Sequence, residues 1–120
     1  MSANHTGEKT KPIRFEVSIL LFQDQNIWVA HGIEWDIVAQ GKTIAAAMEA
    51  FERTFIGQAV IDMNAGDSPL ADIPEAPERI KKQFAAAIFK GQAKPFHLPK
   101  DVPPAYQLQE IIGKDWRIAS

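Results

Sequence analysis

HGIEWDIVAQGKT, residues 31–43, carries a histidine and two carboxylates at His31, Glu34 and Asp36, then closes on Gly-Lys-Thr. Three readings compete for it: an acid–base or metal cluster, a phosphate loop, or the corner, strand and turn by which a sheet passes its chain to a helix. The flanking residues decide. Upstream, IRFEVSILLF (13–22) alternates, with Ile13, Phe15, Val17, Ile19 and Leu21 on one face and Arg14, Glu16 and Ser18 on the other. That period of two marks a half-buried strand. QDQN (23–26) is a short polar turn and IWVAHGI (27–33) a second strand. A tight corner at 34–36 leads into a short third strand, IVAQ (37–40). Short strands joined by short turns form an antiparallel meander.

Downstream, Gly41 ends the sheet and Thr43 is placed to cap a helix over 44–64. Ile44, Met48, Phe51, Phe55 and Ala59 make its apolar face, with the polar Asp62 at the end. Gly57 inside it costs about 1 kcal/mol against alanine, which a close crossing of another backbone would justify. Gly66 is a natural stop. Residues 67–78 hold three prolines and read as irregular, with Leu70 and Ile73 as anchors. A second helix follows over 77–90, its apolar face Ile80, Phe84, Ala87 and Ile88 and its stop Gly91. The stretch 92–120 has Pro95, Pro99, Pro103 and Pro104 and reads as an irregular tail. Its Phe96, Leu98, Tyr106, Leu108, Trp116 and Ile118 are too apolar for a linker, so it is expected to dock on the domain. Residues 1–11 read as a frayed lead. The expected fold is α+β: a three- to four-stranded antiparallel meander with one long helix on one face, a second helix and the tail. The domain spans 12–91.

The 120 residues, 46% hydrophobic and 23% charged, fit one small domain. A net charge of −2 supplies no field to hold nucleic acid unaided. Cysteine is absent, which excludes disulfides, thiol nucleophiles and cysteine-based zinc sites. No stretch approaches the ~18 apolar residues of a membrane span. MSANHTGEKTKP lacks the apolar run of a secretory signal. The expected location is the cytoplasm, with no membrane partner.

WVAHGIEWDIVAQGKTIAAAMEAFERTF (28–55) resembles the HicB antitoxin family, whose pattern is an apolar strand, a CLE-D-AQG-T-EEA style stretch and an amphipathic helix. The match falls on Glu34, Asp36, Ala39, Gln40, Gly41 and Thr43. ADIPEAPE (71–78) is similar to the isoleucine-proline segment that often follows the family's helix. The resemblance covers residues 13–79. Two departures stand out. Ala45 and Ala46 replace the family's glutamates, so no capping box closes on Thr43. The proline-rich 92–120 does not accommodate the helical DNA-binding segment in which such antitoxins commonly end, so direct DNA binding is not expected. The resemblance implies a reduced RNase H topology and a non-enzymatic protein-binding module, an antitoxin-type inhibitor that occludes a small basic mRNA-cleaving toxin. The alternatives are an orphan HicB-like protein and a divergent metal-dependent hydrolase or nuclease.

The hydrolase reading needs His31, Glu34 and Asp36 in fixed geometry. His5 and His97 fall in expected coil and offer no third ligand. Glu16 is alone on the outer face of the first strand and Asp62 lies at the far end of the helix, so no set of carboxylates gathers for paired metals. The phosphate-loop reading fails on spacing, because the position of its first glycine holds Asp36. No catalytic residue, metal or cofactor is expected. If Phe15 and Val17 face the helix, then Leu20, Phe22, Trp28 and Val38 point away from it. Ile56, Val60 and Met63 form a second stripe on the helix. An apolar second face must be covered by the chain itself, by a second copy or by a foreign protein. Leu20, Phe22, Trp28 and Val38 are the expected partner contacts, in a homodimer or against a small basic toxin.

Overall fold

The computed structural model describes residues 11–91, 94–97 and 106–119, the side chains at 11–13, 94, 106–111 and 114 excepted. The expected lead at 1–11 lies outside them save for Lys11. In chain order the elements are β1 (Lys11–Asp24), β2 (Ile27–Gly32), β3 (Val38–Gly41), α1 (Ile44–Asn64), α2 (Glu78–Ala86), β4 (Phe89–Gly91), β5 (Lys94–Pro95) and β6 (Tyr106–Ile118). They build an α+β fold with a six-stranded mixed sheet in the order β3-β2-β1-β6-β4, β5 also pairing with β6.

The first three strands are the expected antiparallel meander, with Leu21 opposite Ala30 and Ala30 opposite Ala39. The sheet extends beyond it. The stretch read as an irregular tail supplies β6, which runs parallel to β1 from Lys11↔Tyr106 to Leu21↔Ile118. All four of that stretch's prolines precede Tyr106, so none interrupts the ladder. Gly91, read as a helix stop, instead lies in β4 opposite Trp116.

Register assigns the two faces. Val17, Ile19, Leu21 and Ala30, all fully buried, face α1 and meet its Ala47, Phe51, Phe55, Ala59 and Met63. The buried stripe is rotated from the expected one: Ala47 and Met63 lie in the core, while Ile44 and Met48 are only partly buried. Phe55 is the centre of an aromatic cluster, with ring centroids 5.9 Å from Phe15, 5.4 Å from Trp35 and 6.1 Å from Phe96. Thr43 caps α1 as expected, its Oγ1 accepting from the Ala46 N–H at 3.0 Å. Gly41 is required by close approach: a Cβ there would stand 2.6 Å from the Ala47 nitrogen. Gly57 has no such reason, since a Cβ would meet nothing within 4 Å. Asp62, the polar member of the expected apolar face, accepts from the Leu70 N–H at 2.8 Å. It thereby holds a buried leucine at φ 62°, in the left-handed region.

Around Leu20 the opposite face is covered from within the chain. Leu20 is fully buried against Ala76 and Ile80, with Phe22, Ile33, Phe84 and Ala119 around them. Arg117 of β6 ties α2 down: its guanidinium lies 4.3 Å from the Phe84 ring centroid and donates to the Phe84 carbonyl at 3.0 Å.

Candidate functional site

The 31–36 corner is where the chain changes faces. β2 stops at Gly32, and Glu34 folds back on β1, accepting from the Ser18 N–H at 2.7 Å and the Ser18 hydroxyl at 2.9 Å. His31 Nε2 lies 2.6 Å from Asp36 Oδ1, with the imidazole almost wholly buried. The Asp36 N–H donates to the Pro74 carbonyl at 2.7 Å, and the Ala76 N–H to the Ile33 carbonyl at 2.9 Å. The loop after α1 thus leaves the α1-side core after Ile73, is stitched to the corner at Pro74 and Ala76, and enters the other core at Ala76. Glu34 satisfies a backbone and a hydroxyl donor, the usual work of a carboxylate at a turn, while the Asp36 carboxylate pairs with the His31 imidazole.

Of the three residues weighed as a reactive cluster, His31 and Asp36 are brought together, while Glu34 is committed to Ser18. The Ser18 hydroxyl donates to Glu34 and not to His31. Among the described residues no group of three or more His, Cys, Asp or Glu side chains converges as a metal site. His97 pairs with Glu52 on α1, Nδ1 to Oε2 at 2.9 Å.

The four expected contact residues do not share a surface. Leu20 is sealed under α2. Trp28 lies opposite Gln23 and Gly41, a register that turns it to the α1 side rather than away from it. The antiparallel pairing places Val29, not Trp28, opposite Phe22. Phe22 and Trp28 nevertheless both line a groove of about 440 Å³ at the end of the hairpin, together with Arg79 and Gln83. Val38 is the openly exposed member at 49%, on β3, which among the described residues pairs with β2 alone and forms one edge of the sheet. The other edge carries Ile88 and Phe89, 75% and 61% exposed.

A larger groove, about 870 Å³, lies between the first turns of α1 and the β5–β6 side of the sheet, with Met48, Glu52, Phe96 and Trp116 among its lining. Sequence reasoning missed it, because its parts come from three distant segments and none has a motif of its own. Among the described residues no helix is long and apolar enough to cross a membrane. Set against family models, curated proteins and solved structures, the chain matches none of them.

Proposed function

We propose that the chain is a HicB-like protein-binding module, an antitoxin-type inhibitor that occludes a small basic RNA-cleaving toxin in the cytoplasm. What supports this is one arrangement. The β1–β2–β3–α1 unit sets the signature residues Glu34, Asp36, Gly41 and Thr43 at structural posts, and among the described residues it leaves β3 as a free edge with Val38 exposed on it. A free edge strand offers unpaired N–H and C=O groups to an incoming strand, and an exposed β-branched side chain adds an apolar anchor. The signature residues therefore hold the frame, and the contact belongs to the edge.

The test is biochemical. The tagged full chain is recovered from its own cells at native expression, and each co-purifying protein is expressed alone and given messenger RNA. The reading expects a small basic partner that cleaves RNA and is silenced when this chain is added in stoichiometric amount. A partner with no action on RNA, or an RNA-cleaving partner indifferent to the chain, contradicts it.

A further inference from the structure

The larger groove has a distinct chemistry. Its aromatic walls are pinned. The Trp116 indole lies directly over Gly91, where a Cβ would overlap the ring. Phe96 is buried and stands edge-on to Phe51 and Phe55. Beside them is Glu52, whose side chain is only 17% exposed. His97 takes its Oε2, and among the described residues its Oε1 has no partner. The groove's other charges offset each other, Arg53 standing 4.0 Å from Glu49. The positive end of the α1 dipole fades within the first turn, and Glu52 lies beyond it.

A carboxylate short of donors beside an indole matches a flat, weakly hydrated cation better than a compact ammonium. We propose that this groove binds an arginine side chain presented by a basic peptide segment, its guanidinium stacked on Trp116 and donating to Glu52 Oε1. A volume of about 870 Å³ exceeds one side chain, which leaves Ile44 and Met48 to receive the residues flanking the arginine. The proposal does not depend on the antitoxin reading; it needs only the groove.

The probes are the peptide acetyl-Leu-Arg-Leu-amide and its citrulline counterpart, which keeps the shape and removes the charge. Each is titrated into the ¹⁵N-labelled full chain while the Trp116 indole N–H is followed, the signal being assigned with Trp116→Phe. The arginine peptide is expected to give a saturable shift. Binding weakens at least about tenfold for the citrulline peptide and for Glu52→Gln. Substituting Glu75, exposed and paired with Lys81, leaves it unchanged. The citrulline arm uses the unmodified chain, so it stands even if Glu52→Gln fails to fold. No saturation, or equal binding of both peptides, overturns the proposal. Equal binding of acetylarginine amide overturns its peptide part and makes the groove a small-cation site.

Discussion

The two halves of this sheet are held by different means. In β1–β2–β3–α1, each element leans on the next in sequence: a two-residue hairpin turn, a corner and a capped helix start. In the half made by α2, β4, β5 and β6, the central strand pairs with β1 from the opposite end of the sequence. Loop closure over that distance is unfavourable until many contacts form at once. The structure supplies them as long-range contacts: the Trp116 indole over Gly91, Arg117 on Phe84, and the Leu20 cluster beneath α2. Local chemistry builds the first half, whereas side-chain fit from distant segments builds the second.

The three tryptophans allow the comparison to be broken or sharpened, since Trp28 and Trp35 report on the first half and Trp116 on the second. The largest effect is expected at Leu20, which belongs to both. Leu20→Ala should cost about 2–5 kcal/mol in urea unfolding, while Val38→Ala, at an exposed edge, should stay within about 0.5 kcal/mol. A cooperative sheet moves all three indole signals together; two separate midpoints would mean that the halves unfold independently. Gly91→Ala comes next, at about 1–3 kcal/mol, because the Trp116 ring must be displaced. An unchanged midpoint would remove that contact from the account. Thr43→Ala should cost about 1 kcal/mol by leaving the Ala46 N–H uncapped, read as a lower thermal midpoint. The smallest effect is a gain. Gly57→Ala should stabilise by about 0.5–1 kcal/mol, since nothing crowds the new methyl, and a loss there would reveal a hidden neighbour.

The same division explains what could be read from the residues alone. The meander and α1 were legible because period two, period 3.6 and the Thr43 cap are local signals. β6 was not. Its register against β1 shifts between Ile13 and Arg14 and again between Val17 and Ser18, and each extra residue breaks the alternation that marks a strand. The nearby prolines then suggested a tail. Trp28 was assigned to the wrong face because antiparallel pairing, not parity along the chain, decides which side chains lie together. At the corner, His31 with Asp36 was foreseeable from proximity. The Ser18–Glu34 contact joins the corner to the middle of β1 and needed the fold.

Protein binding is the claim on which the rest of the function turns, and the mass of what the chain carries with it tests that most directly. Tagged full chain is recovered from its own cells and the eluate is measured by light scattering, with mass spectrometry of its components. A complex with a small basic protein in fixed ratio is predicted, and Val38→Asp should dissolve it while leaving the helix signal intact. Recovery of the chain alone, or only as its own oligomer, would contradict the account.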